Sequence, residues 1–578
     1  MNSDRKIIIY QTLPRLFGNR NRTCKKNGTL SENGAGKFAD FTYRVLHEIR
    51  QLGATHIWYT GIIEHATRTG YPAYGIAGDH SAVVKGIAGS PYAVRDYYDV
   101  DPALAENVSS RMTEFEDLVE RTHRTGLKVI IDFVANHVAR HYHSDAKPII
   151  VNNLGRQDNT FKRFDPNNNF YYLPGQMLTL HSDTGEDDFE YSEFPARATG
   201  NDCFSLHPSA SDWYDTVKLN YGVDYAGDGS CHFDPVPDTW IKMLDILLFW
   251  VGKGVDGFRC DMAEMVPVEF WRWVIPRARA TRDVCFIAEI YRPERYRDYL
   301  HGHFDYLYDK VGLYDTLRDV ICGKAGATAI THCWQSVEDI REHMLCFLEN
   351  HDEQRIASDF FAGSAEAGLP GMIVAATLHV NPLMIYFGQE LGERGMDEEG
   401  YSGRDGRTTI FDYWSLESIR NWMNDGQFDG ALLTESQQTL RRAYARLLNT
   451  VCREPAIEKG VFFDLMYVNR NNPHFNDHRQ YAFLRKHEQE VILIVVNFDR
   501  TEQTVRVIIP PEAFRSLHIP DNQPALRTDL FTGEQSLSTL TEACPYEITL
   551  PGYSGKLLKF KYDRKTGLTV FSSRNESA

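Results

Sequence analysis

The chain has 578 residues and a formal net charge of −17 at pH 7. That length exceeds one ordinary domain, so we expect two or three structural units. The acidic balance argues against nucleic acid or an anionic membrane surface as the main partner, whereas a neutral substrate would be indifferent to it.

The N-terminus and the cysteines bear on the cellular compartment. Residues 1–10 lack a basic start, a long apolar stretch and a small-residue cleavage site, so they do not resemble a secretory signal. No apolar run is long enough to span a bilayer. The ten cysteines show no CxxC spacing. These features predict a reduced, cytoplasmic setting, although a secreted chain already stripped of its leader would read the same.

Short apolar runs alternate with helical stretches up to about residue 390. Eight runs have the pattern of strands buried on both faces, as in a parallel sheet: Ile7–Tyr10, His56–Tyr59, Val129–Phe133, Gly257–Cys260, Val284–Ala288, Phe304–Leu307, Met344–Leu348 and Leu383–Phe387. Eight such strand–helix units predict an α/β fold of the closed (β/α)8 TIM barrel type. The alternative, an open doubly wound sheet, would usually carry a Gly-rich phosphate turn after an early strand, and this chain has none.

Two segments depart from this alternation. The interval 138–237 is rich in Asn, Asp, Gly, Pro and Tyr and predicts a small inserted domain of irregular structure after strand 3. From about Gly460 the pattern becomes alternating strands without helices, which predicts a C-terminal antiparallel β-sandwich domain. The predicted domains are the first part of the barrel at 1–137, the inserted domain at 138–237, the second part of the barrel at 238–459 and the C-terminal domain at 460–578.

Four predicted strands end in charged, amide or imidazole side chains: Asp132, Asn136 and His137 at the third, Arg259 and Asp261 at the fourth, Glu289 at the fifth, and Asn350, His351 and Asp352 at the seventh. Any one of them could be an ordinary solvated loop start. In a barrel, however, the carboxyl ends of the strands share one face, where the chemistry takes place. The sequence therefore predicts that these groups converge.

Paired carboxylates suit the cleavage of glycosidic bonds. One must carry a proton for the leaving oxygen, and the other must stay ionised to attack the anomeric carbon. Arg259 lies two residues before Asp261 on one strand, so both side chains point the same way and the cation should favour ionised Asp261. Glu289 has no cation beside it in sequence, and burial with neighbouring carboxylates would raise its pKa, as a general acid requires.

Four segments, Asp132–His137, Gly257–Asp261, Ala288–Glu289 and Asn350–Asp352, resemble the signature motifs of the α-amylase superfamily (glycoside hydrolase family 13). They occur in the family's order and on its strands three, four, five and seven. The resemblance extends over nearly the whole chain and implies the barrel, the inserted domain and the C-terminal sandwich.

The resemblance also implies residue roles. Asp261 is the expected nucleophile, Glu289 the expected general acid/base, and Asp352 the third carboxylate, which holds sugar hydroxyls and stabilises the distorted ring. The expected substrate-binding residues are Arg259, His137 and His351, together with Tyr92, a candidate stacking platform in a loop that resembles the family's. The competing interpretation of Tyr92 is a tyrosine that packs its own loop.

The resemblance leaves a metal site open. Many α-amylases carry Lys-His after the nucleophile motif, and the backbone of that His helps to bind calcium, whereas this chain has Glu264 and Met265 there. Asn136 remains a candidate calcium ligand because oxygen donors suit that ion. The acidic residues within 183–188 are a further candidate, against the simpler interpretation of a solvated loop. No cofactor is expected for the chemistry itself.

The leading hypothesis is a retaining, α-amylase-like glycoside hydrolase that cleaves α-1,4-glucosidic bonds in starch or maltodextrin-type α-glucans through a covalent glycosyl–enzyme intermediate. A 4-α-glucanotransferase or a sugar isomerase would use the same site and intermediate, and would differ in the acceptor that resolves it. A catalytically inactive α-glucan-binding relative is the third alternative. The presence of Asp261, Glu289 and Asp352 argues against it.

Overall fold

Eight parallel strands form a barrel at the centre of the protein. The computed structural model describes residues 6–181 and 190–562, so the acidic residues considered at 183–188 lie outside the described residues. The barrel strands, numbered β1 to β8 in chain order, are Ile8–Thr12, His56–Tyr59, Lys128–Val134, Gly257–Asp261, Cys285–Ala288, Tyr306–Tyr308, Met344–Leu345 and Leu383–Tyr386. Each predicted strand is present, and the predicted TIM barrel is confirmed.

The strand order is β7-β6-β5-β4-β3-β2-β1-β8, and all neighbours pair in parallel. The backbone of Cys346 completes the ring between β7 and β8. Its carbonyl accepts a hydrogen bond from Met384 N (2.9 Å), and its N–H donates to Pro382 O (3.1 Å). β7 is shorter than its predicted run because beyond Leu345 the ladder is reduced to this single bridge.

The barrel strands are apolar on both faces because each face meets a different part of the core. Ile9 packs inside the barrel in a cluster with Trp58 and Met384, whereas Ile8 belongs to the larger apolar cluster that includes the helices. Continuous apolar strands are the sequence signature of a parallel sheet covered on both sides.

Helices surround the barrel and connect its strands. Those between β1 and the C-terminal region are Pro14–Phe17, Leu30–Asn33, Tyr43–Leu52, Arg111–Arg124, Asp238–Gly252, Val268–Arg279, Tyr296–His301, Asp315–Ile321, Ala329–Ser336, Leu369–Thr377, Glu417–Met423, Glu435–Val451 and Pro455–Glu458. The helix Tyr43–Leu52 illustrates how the sequence sets the two ends of a helix. The Thr42 side chain accepts a hydrogen bond from Val45 N at its start, and Gly53 ends it in a left-handed conformation (φ 119°).

The segment between β3 and the helix Asp238–Gly252 contains only short strands in its described part. They pair as His137–Ala139 with Thr216–Lys218, Tyr172–Leu173 with Ala196–Arg197, and Leu178–Leu180 with Tyr191–Glu193. A further hairpin, Ile63–His65 with Val94–Val100, follows β2. The pairing of His137–Ala139 with Thr216–Lys218 brings the end of the inserted segment back to the end of β3.

The C-terminal region is antiparallel, as predicted. Its six-stranded sheet has the order Val461–Asp464, Gln480–His487, Glu490–Asn497, Ser554–Lys561, Gln523–Asp529 and Gln535–Leu540, and Gln503–Val507 pairs with Tyr546–Leu550 in a second sheet. Two short helices, Met466–Asn469 and Pro511–Ser516, interrupt the strands. Among the described residues no helix is long and apolar enough to cross a membrane. The ten cysteines, all in the described ranges, form no disulfide bond there.

Candidate active site

The carboxyl ends of β3, β4 and β5 bring three acidic side chains and an arginine together. In the β3–β4 register, Arg259 lies beside Asp132. Glu289 directly follows β5, and its N–H donates to the carbonyl of Cys260 on β4 (3.1 Å). Arg259 and Asp261 are two residues apart on one strand, so their side chains leave the strand on the same face.

The guanidinium of Arg259 is the centre of this group. Its Nη1 lies 2.7 Å from Asp261 Oδ1 and 3.3 Å from Asp132 Oδ1, and its Nη2 lies 2.8 Å from Glu289 Oε1. Its Nε donates to the hydroxyl of Tyr308 (3.2 Å). Burial alone would lower the pKa of Arg259, but the surrounding anionic groups hold it well above its usual value. A permanent buried cation therefore stands between the carboxylates.

Glu289 holds a proton near neutral pH. Burial is the main cause that raises its pKa to about 7, and the charges of Asp261 and Asp352 add to that rise, against the opposing guanidinium. The backbone N–H of Met262 donates to Oε2 (2.7 Å), and the hydroxyl of Tyr291 donates to Oε1 (2.7 Å). Both hydrogen bonds favour the ionised form, so the carboxyl can lose its proton as well as hold it.

Asp261 is also buried, and burial raises its pKa whereas Arg259 lowers it. The sequence predicted that Arg259 would favour ionised Asp261. The contact is present, but burial outweighs it and the net direction is upward. Oδ2 of Asp261 has no hydrogen-bond partner among the described residues, and Asp261 lines the cavity described below.

A turn after β7 places His351 and Asp352 at the same end of the barrel as Asp261 and Glu289. Asn350 Oδ1 accepts hydrogen bonds from the N–H groups of Asp352 and Glu353 (both 2.9 Å) and shapes this turn. His351 Nε2 lies 3.0 Å from Asp352 Oδ2. Burial alone would favour the neutral forms of both side chains, but the contact between them has the larger effect. It raises the pKa of His351 and lowers that of Asp352 to about 2. The Asp352 side chain remains 41% exposed.

The His351 ring is held on both nitrogens and on one face. Gln11, in β1, donates from Nε2 to Nδ1 of His351 (2.8 Å) and to Thr60 Oγ1 (3.0 Å). Tyr92 stacks on the ring, with centroids 5.2 Å apart and planes 23° apart. Its hydroxyl lies 2.6 Å from His351 Nε2 and donates to Asp132 Oδ1 (3.2 Å).

His137 lies beyond the end of β3 and lines the same cavity as Asp261 and Glu289. Its ring is 5.1 Å from that of Trp213, which belongs to the inserted segment. Burial lowers the pKa of His137 to about 3, so the imidazole is neutral at pH 7. Asn136 lies behind it, with Nδ2 3.1 Å from His137 Nδ1 and Oδ1 accepting a hydrogen bond from Lys218 Nζ.

A cavity of about 230 Å³ connects these groups. The sequence-predicted residues that line it are Asp261, Glu289, Asp352, His137, His351 and Tyr92, whereas Arg259 and Asn136 lie behind them. The lining residues that sequence reasoning missed are Lys85, Trp213, Asp215, Thr216, Met262, Tyr291, Ile410 and Phe411. Most lie on loops or in the inserted segment, where no periodicity marks a position. Gln11 carried a usable signal, since it is the first polar residue after the apolar run Ile7–Tyr10.

The family model of the α-amylase catalytic domain matches residues 13–298, from the residue after β1 to beyond Glu289. The chain belongs to the α-amylase superfamily. Its catalytic domain places it among the α-amylase-like glycoside hydrolases.

Individual members of the α-amylase superfamily are distant relatives. "Alpha-amylase 3" of Dictyoglomus thermophilum is 23% identical over 438 residues, which cover 72% of this chain and 75% of that protein. Cyclomaltodextrin glucanotransferase of Geobacillus stearothermophilus is 22% identical over 372 residues, 61% of this chain and 45% of that protein. The chain thus spans less than half of the second relative.

The fold is similar to the crystal structure of a noncanonic maltogenic α-amylase, AmyB, from Thermotoga neapolitana. The TM-score is 0.61 at 20% identity, and the match covers 97% of this chain and 100% of that chain. At such low sequence identity the likeness shows a similar fold and nothing further.

Proposed function

We propose that this α-amylase superfamily member hydrolyses α-1,4-glucosidic bonds of starch or maltodextrin-type α-glucans with retention of configuration. The observation that carries the proposal is the shared guanidinium of Arg259, which contacts both Asp261 and Glu289 while Glu289 has a pKa of about 7. Retaining glycosidases need two carboxyls about 5–5.5 Å apart in opposite protonation states. The contacts of one guanidinium to both groups bring the two carboxyls close together, while burial and the neighbouring carboxylates keep the proton on Glu289.

The reaction has two steps. In the first, an oxygen of ionised Asp261 attacks the anomeric carbon, the glycosidic C–O bond breaks, and the proton of Glu289 passes to the leaving oxygen. In the second, Glu289 takes a proton from water, the water oxygen attacks the anomeric carbon, and the bond to Asp261 breaks. The free Oδ2 of Asp261 and the tuned pKa of Glu289 support these assignments.

The surrounding residues suit substrate binding. Asp352 is ionised and partly exposed, so its carboxylate is available to sugar hydroxyls and to developing positive charge on the ring. His137 and His351 both line the cavity, and the neutral imidazole of His137 suits a hydrogen bond to a sugar hydroxyl. Arg259 contacts the carboxylates without lining the cavity, whereas Tyr92, stacked on His351, is one of the lining residues.

Incubation with maltoheptaose tests the reaction class. Hydrolysis predicts shorter oligosaccharides together with an increase in reducing ends, and proton NMR of the first product should show the α-anomer. Longer oligosaccharides without new reducing ends would instead identify a glucanotransferase, an outcome that the likeness to cyclomaltodextrin glucanotransferase makes worth measuring. A β-configured first product would contradict retention.

Azide rescue tests the two carboxyl roles separately. On a substrate whose leaving group departs without a proton, such as α-maltosyl fluoride, azide should restore turnover in E289A and give a glycosyl azide of retained configuration, because Asp261 still forms the intermediate. In D261A the azide product should be inverted, since azide then attacks directly. D309N is the matched control, because Asp309 is a buried carboxyl that does not line the cavity, and it should need no azide.

A further inference from the structure

The Lys218 side chain lies at the junction of the barrel with the inserted segment. It ends the strand Thr216–Lys218, which pairs with His137–Ala139 directly after β3. Its side chain is 2% exposed, so the ammonium is inside the protein rather than in solvent. A buried ammonium is stable only when several polar groups surround it.

Three oxygens from three parts of the chain surround Lys218 Nζ. Asn136 Oδ1, at the end of β3, lies 2.5 Å away, and Asp202 Oδ1, in the inserted segment, lies 2.8 Å away. The carbonyl oxygen of Met265, in the turn after β4, is 3.2 Å away. The face of Tyr225 lies 5.3 Å from the ammonium and adds a cation–π contact.

This oxygen set would otherwise suit calcium. An amide oxygen, a carboxylate and a backbone carbonyl are ligands of the type that calcium takes, at 2.3–2.6 Å from the ion. Here all three already accept from one ammonium that lies among them, so an ion at those distances and Lys218 Nζ would compete for the same space. Within the described residues no group of three or more His, Cys, Asp or Glu side chains could hold a metal ion. The surroundings of Asn136 therefore do not fit the calcium site that its motif suggested.

We propose that the ammonium of Lys218 replaces a bound calcium ion at this junction and positions the active-site side of the inserted segment. The link to the cavity runs through Asn136. With its Oδ1 fixed by the ammonium, its Nδ2 donates to Gly200 O (2.8 Å) and faces Nδ1 of His137 (3.1 Å). Lys218 is thus a positioning residue that acts on His137 through one amide.

Metal analysis of the full-length protein tests the replacement without reference to activity, so it stands apart from the proposed hydrolysis. After dialysis against metal-free buffer, elemental analysis should find no retained calcium, and the thermal midpoint should be the same in calcium chloride and in EGTA. One calcium ion per chain, or a midpoint that falls in EGTA, would refute the proposal.

Substitution of Lys218 tests its positioning role against a matched control. K218M keeps the length of the side chain but removes the charge. K242M removes another buried lysine ammonium, which contacts a similar set of oxygens, Asp238 Oδ2 (2.7 Å), Asn169 Oδ1 (2.9 Å) and Asn153 O (3.4 Å), but lies away from the cavity.

We expect both variants to have lower thermal midpoints, and only K218M to show a kcat/KM for maltoheptaose reduced about tenfold or more well below its midpoint. Equal kcat/KM values for K218M and K242M would refute the positioning role. If K218M does not fold, the calcium and EGTA measurements on the unmodified protein still decide whether the ammonium has replaced the metal.

Discussion

The side-chain amide of Gln11 donates a 2.8 Å hydrogen bond to Nδ1 of His351, and Nε2 of the same ring lies 3.0 Å from Asp352 Oδ2. A residue of the first barrel strand thereby sets which nitrogen of the imidazole in the turn after β7 faces the exposed carboxylate. Oε1 of Gln11 has no partner among the described residues. Rotation of the amide would offer an acceptor to Nδ1 when the ring takes a second proton, so Gln11 can serve both protonation states.

Replacing Gln11 with leucine should reduce kcat/KM by about 10- to 100-fold, because a hydrogen bond to a group in the site is lost while the volume is nearly kept. Steady-state kinetics on maltoheptaose would measure the loss. Q480L is the matched control, since Gln480 is a buried amide that bonds Asn497 in the C-terminal sheet. Its kcat/KM should remain that of the unmodified protein, and equal losses in both variants would contradict the role of Gln11.

Removing the Tyr291 hydroxyl should move the alkaline limb of the pH profile upward. That hydroxyl donates to Glu289 Oε1 and so favours the ionised carboxyl. In Y291F the pKa of Glu289 rises above about 7, and the general acid keeps its proton to higher pH. The profile of kcat/KM against pH measures the shift. Y221F, which removes a buried hydroxyl bonded to the Ala135 carbonyl, should leave the limb in place, and a downward shift in Y291F would contradict the argument.

The change E289Q should abolish turnover and stabilise the fold at alkaline pH. The pKa of Glu289 is about 7 in the folded protein against an ordinary value of 4.5. Below pH 4.5 both states hold the proton. Between pH 4.5 and about pH 7 the unfolded chain loses this proton first, so the free energy of unfolding of the unmodified protein falls relative to that of E289Q. The difference between the two free energies should reach roughly 3 kcal/mol above pH 7. Urea unfolding at pH 4.5 and pH 8 measures it, and a gap that does not change with pH would contradict burial as the cause.

Substituting lysine for Arg259 should lower kcat by about 10²- to 10⁴-fold. A single ammonium cannot reproduce the two-pronged contacts to Asp261 and Glu289, so one carboxylate loses its counterion. R485K is the control for a buried arginine, because Arg485 donates to the carbonyls of Leu378, Ala456 and Ile457 at the C-terminal domain. We expect R485K to lower the thermal midpoint but to keep kcat, and an R259K enzyme with normal kcat would exclude the proposed role.

The barrel could be predicted because short local sequence patterns mark its strands. Strands such as β5 and β8 are apolar on both faces, and the polar residue Glu289 directly follows β5. The same rule located Asp261 and Glu289, since barrel geometry alone brings adjacent strand ends together. Asp132 contacts Trp58, Tyr92 and Arg259 and so supports the end of its strand.

Other parts of the site depend on contacts that no local pattern encodes. Trp213 and Asp215 reach the cavity from an irregular segment whose path is set by its own turns and packing. The net direction of the Asp261 pKa depends on burial, which the neighbouring Arg259 in the sequence does not reveal. No local pattern marks Lys218, because its contacts to Asn136 and Met265 span long distances along the chain.

The single guanidinium that serves Asp132, Asp261 and Glu289 makes these positions energetically interdependent. Each substitution changes the field felt by the remaining two, so the effects of paired substitutions will not be the sum of the single ones. Evolution at these positions is therefore constrained jointly: a replacement that is harmful alone can become tolerable, or still more harmful, once its neighbour has changed.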